Sequence, residues 1–215
     1  MVMNYIDTYD NELSVGKPHI LYQNDKFLSS DEISHYQSLL KNYNWGLSNY
    51  HTLDKLFYVS QNLYRHYAWN GKWNDAKWLD STPPDWEQLY NKISAHLPPH
   101  YVHWIDVKMT GAFQGGTPIH RDKDPWTPGG DTKKFSNSIT IICNLNIEWD
   151  ARWGGGITLY ETKNVHGQLT HTVDQVIPIV PGQLLIVNNC FHSIELITEP
   201  SRNRVSFILH VLKYK

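Results

Sequence analysis

Cysteine is scarce in this chain: Cys143 and Cys190 are the only two among 215 residues. Two thiols set no disulfide framework. Both fall in apolar, strand-like runs, where reduced, buried side chains are expected rather than a redox pair. That usage predicts a reducing compartment and a cytoplasmic location. No Cys-x-x-Cys pair occurs, which removes the usual signature of structural zinc. No apolar run approaches the roughly 18 residues of a membrane span. Met1 to Glu12 also lacks the basic stretch and apolar segment of a secretory leader. Charge is thin, at 19% of residues with a formal net of -2 and no block of Lys and Arg. A protein that tracks a nucleic-acid backbone is therefore not expected. Repeats and low-complexity linkers are absent as well. With 40% hydrophobic residues, a chain of this length buries roughly 70% of its unfolded surface without covalent staples. The expectation is one domain over residues 1–215.

Aromatic and imidazole side chains are plentiful: 9 Trp, 13 Tyr and 12 His. They supply flat stacking surfaces and metal ligands suited to a small-molecule or peptide partner. His19 to Tyr22 reads as a short strand. From Leu28, the order Ser29-Ser30-Asp31-Glu32-Ile33 reads as a helix start: Ser29 caps the backbone near Glu32, Glu32 reaches back, and Leu28 and Ile33 form a hydrophobic staple. Ile33, Tyr36, Leu40 and Tyr43 then recur at helical spacing. A second helix is predicted after Pro83-Pro84-Asp85, with Trp86, Leu89, Tyr90, Ile93 and Leu97 on one face and Pro98-Pro99 as its stop. Between them, Leu63 to Trp73 has no clean period and reads as strand and loop, either covering a site or packing as an aromatic cluster. From Tyr101 the pattern is short strands divided by Gly, Pro and Asn: Tyr101–Met109, Ser138–Ile147, Gly156–Glu161, Gly167–Val173, Val176–Val180, Gln183–Val187, Ser193–Thr198 and Arg204–Leu212. About eight strands at this spacing indicate a sandwich or barrel, mostly β with supporting helices.

Three segments carry the chemistry. In an extended chain, residues two apart share a side, so His120 and Asp122 reach one metal while Arg121 points away. A third ligand from a distant strand, His192, closes one face of an octahedron. Two imidazoles and one carboxylate make the facial triad of non-heme Fe(II), with positions left for a bidentate cosubstrate and O2. A turn with incidental polar residues is the other reading of His-x-Asp in isolation. In the last strand Val205, Phe207, Leu209 and Val211 share the core face, whereas Arg204, Ser206, Ile208 and His210 share the other. An arginine on that face needs an anionic partner, because a buried unpaired guanidinium is costly. A dicarboxylate cosubstrate gripped by Arg204 and Ser206 supplies one; an ion pair with a protein carboxylate is the alternative.

The ordered set His120-Arg121-Asp122, Trp153-Gly154-Gly155-Gly156-Ile157-Thr158-Leu159-Tyr160, Pro181-Gly182-Gln183-Leu184-Leu185-Ile186-Val187, His192 and Arg204-Val205-Ser206 resembles the Fe(II)/2-oxoglutarate-dependent dioxygenases, in their prolyl-4-hydroxylase-like branch. The resemblance spans Tyr101 to Lys215, and Phe27 to Ile33 resembles the helix opening that precedes that core. It implies a double-stranded β-helix, jelly-roll or cupin-like. It implies that His120, Asp122 and His192 bind Fe(II) and that Arg204 holds the 2-oxoglutarate C5 carboxylate, with O2 as second cosubstrate. Arg202 is a rival for that carboxylate, and strand phase favours Arg204. Asn144 falls where related enzymes place a tyrosine near 2-oxoglutarate, so it is a candidate carboxylate donor or else a cross-strand polar pair. Because the related halogenases replace the carboxylate by a small residue, Asp122 implies hydroxylation or another oxidative outcome instead of halogenation, with release of succinate and CO2.

The implied prime substrate is a peptidyl side chain, proline first, or a free amino acid or small metabolite. The loop Lys123 to Lys134 reads as a lid in which Trp126 stacks on substrate and Lys123 or Lys134 meets an anionic group, or else as an ordinary solvated loop. Trp69 and Trp73 are further lid candidates. Cys190 reads as a packing thiol near the metal. His103, His166, His171 and His210 read as polar groups rather than ligands. Two other classes compete: a non-enzymatic Trp-rich β-sandwich that binds carbohydrate or protein, and a cupin-like hydrolase or isomerase holding Zn(II) or Ni(II) in the same triad. Neither nucleic acid nor membrane is an expected partner.

Overall fold

The computed structural model describes residues 16–41, 46–49, 57–65, 68–69, 72–73, 77–78, 84–111, 119–121, 135–188 and 190–214. In chain order the elements are β1 (Ile20–Asn24), α1 (Ser30–Leu40), β2 (Gly46–Asn49), β3 (Phe57–Arg65), β4 (Ala68–Trp69), β5 (Lys72–Trp73), β6 (Lys77–Trp78), α2 (Pro84–Ser94), β7 (His100–Gly111), β8 (Phe135–Asn144), β9 (Ile157–Val165), β10 (Gln168–Ile177), β11 (Leu184–Asn188), β12 (His192–Ile194) and β13 (Asn203–Tyr214).

α1 begins where its sequence signals place it. The Ser29 side chain accepts from the Glu32 amide at 3.2 Å, and the Ser29 amide donates to the Glu32 carboxylate at 2.8 Å. Leu28 and Ile33 are both buried, as a staple requires. In α2 the predicted face holds, with Trp86, Leu89 and Ile93 buried.

The large sheet runs β1-β11-β8-β13-β7-β3-β2, with β6 beside β3; the small one runs β10-β9-β12, and β4 pairs with β5. All described strand pairs are antiparallel. The outer face of the large sheet takes the alternate residues Val205, Phe207, Leu209 and Val211 of β13. These join Ile105 and Val107 of β7, Ile141 and Cys143 of β8 and the buried faces of both helices in one apolar cluster. Trp86 and Phe207 stack there at 5.5 Å between ring centroids. A second apolar cluster combines Ile142 of β8 and Leu185 and Val187 of β11 with Ile157, Leu159 and Ile177 of the small sheet. It packs the inner face of the large sheet against the small one. This two-sheet β-sandwich with helices on one outer face is the double-stranded β-helix the sequence resemblance implies.

Several strand boundaries differ from the sequence reading. Gly167–Val173 and Val176–Val180 are one strand, β10, in which a register shift between Val173 and Gln175 absorbs Asp174 as a bulge. Ser193–Thr198 shrinks to β12, because after Ile194 the backbone leaves for single contacts: Glu195 with Gly156 and Thr198 with Trp153. Ser138–Ile147 starts at Phe135 and ends at Asn144. Beyond it the Asn146 side chain replaces the ladder, accepting from the Val205 amide at 3.0 Å and donating to the Asn203 carbonyl at 2.8 Å. The irregular aromatic stretch holds the end of β3 together with β4 and β5.

Candidate active site

His192 opens β12 directly opposite Leu159 of β9, and Leu159 belongs to the apolar layer between the sheets. Cross-strand partners share a face, so the His192 side chain, 4% exposed, points into that layer. His120 extends the small sheet by one rung: its amide donates to the His192 carbonyl at 2.9 Å, and its carbonyl accepts from the His192 amide at 2.8 Å. The two rings lie 4.4 Å apart between centroids. The His192 Nδ1 sits 3.0 Å from the Cys190 carbonyl. A carbonyl only accepts, so Nδ1 carries a proton, which in the neutral ring leaves the lone pair on Nε2, the tautomer that ligates a metal. Cys190 thus orients the histidine through its backbone while its thiol packs in the interlayer cluster.

Arg204 lies on the facing wall. On β13 it alternates with the outer core residues, and Ser206, Ile208 and His210 follow it on the inner face. It is 6% exposed, its Nε has no hydrogen-bond partner, and among the described residues no carboxylate pairs with it. Burial alone pulls its basicity down to about 10. Charged at neutral pH and enclosed, this guanidinium finds among the described residues no anion to offset its desolvation. The alternative of an internal ion pair finds no support among the described residues. Arg202 is committed elsewhere, 2.6 Å from the Glu148 carboxylate and stacked over Trp153 at 4.5 Å.

Ser206 is 1% exposed, and its hydroxyl donates to the Asn144 Oδ1 at 3.5 Å. Asn144 Nδ2 donates to Gln183 Oε1 at 3.1 Å. Asn144 therefore takes part in a cross-strand polar pairing, and Gln183, absent from the sequence-derived site, is its partner. The strand phase contained that signal: Gln183 precedes Leu185 and Val187 at the spacing that places it on the inner face. Asp122, Lys123, Trp126 and Lys134 lie outside the described residues, as do the side chains of Trp69, Trp73 and His103. The structure thus sets His120 and His192 side by side at the edge of the small sheet, and Arg204, Ser206 and Asn144 on the inner face of the large one. Among the described residues no group of three metal-ligating side chains occurs. Tyr160 faces away from the apolar layer between the sheets and hydrogen-bonds Ser193 at 2.9 Å. His171 packs on Phe191 and meets the Thr162 hydroxyl, as a polar structural group does, and His210 is buried at 6% exposure.

No family model and no curated protein matches the chain. Solved structures do. The non-heme α-ketoglutarate-dependent epimerase SnoN from nogalamycin biosynthesis aligns with a TM-score of 0.62 at 11% identity, over 92% of this chain and 78% of that one. A prolyl hydroxylase from Trichoplax adhaerens, in complex with a hypoxia-inducible-factor peptide, gives 0.57 at 14% identity over 89% and 83%. A Pseudomonas putida prolyl-4-hydroxylase gives 0.54 at 12% identity over 92% and 93%. The chain has the fold of the Fe(II)/2-oxoglutarate oxygenases, prolyl hydroxylases among them. SnoN is also known in complex with Fe3+, α-ketoglutarate and nogalamycin RO.

Proposed function

We propose that this chain, acting as a single domain, is an Fe(II)- and 2-oxoglutarate-dependent dioxygenase that hydroxylates an unactivated C-H bond. The observation that carries the reading is Arg204, a buried guanidinium that pairs with no carboxylate among the described residues, on the inner face of the large sheet, which packs against the small sheet that His120 and His192 extend. These residues fit the implied groups. His120, His192 and, two residues on from His120, Asp122 would hold iron, and Arg204 with Ser206 would hold the distal carboxylate of 2-oxoglutarate. Iron with 2-oxoglutarate and O2 supplies the oxidising equivalents, converting C-H to C-OH with release of succinate and CO2.

The chain's own contribution is positional. The Cys190 carbonyl holds His192 in its ligating tautomer, and the fixed charge of Arg204 sets which end of the cosubstrate lies deepest. Leu159, Leu185, Val187 and Ile142 keep the interlayer space apolar, which strengthens the grip on a carboxylate and excludes water from the reacting centre. The substrate class in this reading is a peptidyl prolyl side chain, a free amino acid or a small metabolite, with Trp126 and Lys123 as its contacts. A peptide-bound prolyl hydroxylase among the structural neighbours supports the first of these.

The test needs no prime substrate. Metal-free protein titrated anaerobically with Fe(II) and then 2-oxoglutarate should develop the saturable charge-transfer absorption of a chelate. His192→Ala and Asp122→Ala should lose it. An iron-loaded, folded wild type with no such band would reject the assignment in favour of metal chemistry without 2-oxoglutarate.

A further inference from the structure

The inner face of the large sheet carries a row of polar side chains running across its strands. Ser206 on β13 pairs in register with Asn144 at the end of β8 and, on its other side, with Lys108 of β7. Gln183 stands one residue before β11, where its carbonyl accepts from the Asn144 amide at 2.9 Å. Asp25 stands one residue after β1, whose last pair is Asn24 with Leu184 of β11. The side chains connect in the same order. Ser206 donates to Asn144, Asn144 Nδ2 donates to Gln183 Oε1 at 3.1 Å, and Gln183 Nε2 donates to Asp25 Oδ1 at 2.8 Å. Gln23 also donates to that oxygen, at 3.0 Å. Ser206, Asn144 and Gln183 are 1%, 3% and 2% exposed, whereas Asp25 is at the surface.

This row has a direction, and its exposed end sets it. A carboxylate only accepts, so Gln183 must turn its NH2 to Asp25 and its oxygen inward. Asn144 must then turn its NH2 to Gln183 and its oxygen to Ser206. The single hydroxyl proton of Ser206 is thereby directed to Asn144, away from any carboxylate held by Arg204. A hydroxyl has one proton to give, so the two acceptors compete for it. The Ser206 bond of 3.5 Å is the longest in the row and the one a ligand displaces.

We propose that Asp25 and Gln183 are positioning residues that set which way the Ser206 hydroxyl points, and so tune the affinity of the site for the cosubstrate carboxylate from the protein surface. This inference rests on the cosubstrate site proposed above. It predicts that a donor in place of Asp25 reverses the row. Gln183 then turns its oxygen outward, Asn144 presents its NH2 to Ser206, and the hydroxyl proton is released to the carboxylate.

The test is a mutant cycle on the full chain, loaded anaerobically with Fe(II) and titrated with 2-oxoglutarate by its charge-transfer absorption. Thermal midpoints are measured alongside. Asp25→Lys should tighten binding about fivefold, the equivalent of one ordinary hydrogen bond. In Gln183→Met or Ser206→Ala backgrounds, where the row is cut, the same substitution should change affinity by less than about twofold. A gain of equal size in the cut backgrounds would assign the effect to surface charge acting through space and overturn the proposal. No gain in the intact background at an unchanged thermal midpoint would overturn it too. Wild type that binds 2-oxoglutarate, with Arg204→Leu that does not, secures the site independently of the row. Failure of wild type to bind would remove both.

Discussion

In the proposed site Arg204, without a carboxylate partner among the described residues, bears a cost in the free protein that a bound anion would offset. Replacing it with methionine should therefore leave the unfolding free energy of the ligand-free chain unchanged or raise it by up to about 1 kcal/mol, because a buried charge with no carboxylate partner among the described residues becomes apolar volume. The same variant should lose the stabilisation that 2-oxoglutarate gives the metal-loaded wild type, since only a ligand that binds the folded state raises its midpoint. Calorimetry with and without 2-oxoglutarate checks both halves; a large loss in the free protein would mean that Arg204 has a structural partner. At this scale the strand face of several candidate residues was legible. Alternation in the last strand separated Arg204 and Ser206 from Val205 and Phe207, and strand phase preferred Arg204 to Arg202. What the sequence did not reveal was the partner of Asn144. Gln183 lies 39 residues away, and only the pairing of β8 with β11 brings the two amides together.

Two short devices fix where elements start. The capping box of α1 includes Glu32, whose carboxyl is held below its ordinary value of 4.5 by the Lys92 ammonium first and by the Ser29 amide. A depressed carboxyl contributes stability that is fully present above its ordinary range and is lost as pH falls through the lowered value. Glu32→Gln should accordingly flatten the acid limb of thermal stability as pH falls through the ordinary carboxyl range and below it, with little change in slope above that range. Gly182 has φ +72, and a Cβ there would come 2.5 Å from the Leu28 carbonyl oxygen. The Leu28 amide donates to the Gly182 carbonyl at 3.0 Å, which ties the entry of α1 to the turn before β11. Gly182→Ala should destabilise by about 2 kcal/mol, from left-handed strain and the clash together, as denaturant unfolding would show. Capping chemistry is local, so the start of α1 was readable to within a residue. The edge of β10 was not: its bulge at Asp174 depends on the ladder with β9, and a polar residue between two apolar runs looks like a turn when the partner strand is unseen.

The whole molecule divides its apolar burial between two layers. Trp86, fully buried and stacked on Phe207, anchors the helix-covered layer. Trp86→Ala should cost about 3–5 kcal/mol of unfolding free energy. Because that layer lies on the outer face, 2-oxoglutarate affinity of the fraction that remains folded should stay near wild type; a loss of affinity equal to that of Arg204→Leu would show that the layers are not separable. The class of architecture was visible from turn spacing and alternation, while the order of strands was not, since antiparallel pairing between distant segments leaves no local trace. β13 belongs to both layers at once. Its odd-numbered residues Val205, Phe207, Leu209 and Val211 answer to folding, and its even-numbered residues Arg204, Ser206 and His210 line the interlayer side. A lineage could therefore rewrite every second letter of this strand, exchanging one anion for another, while selection for a folded chain watched only the letters between.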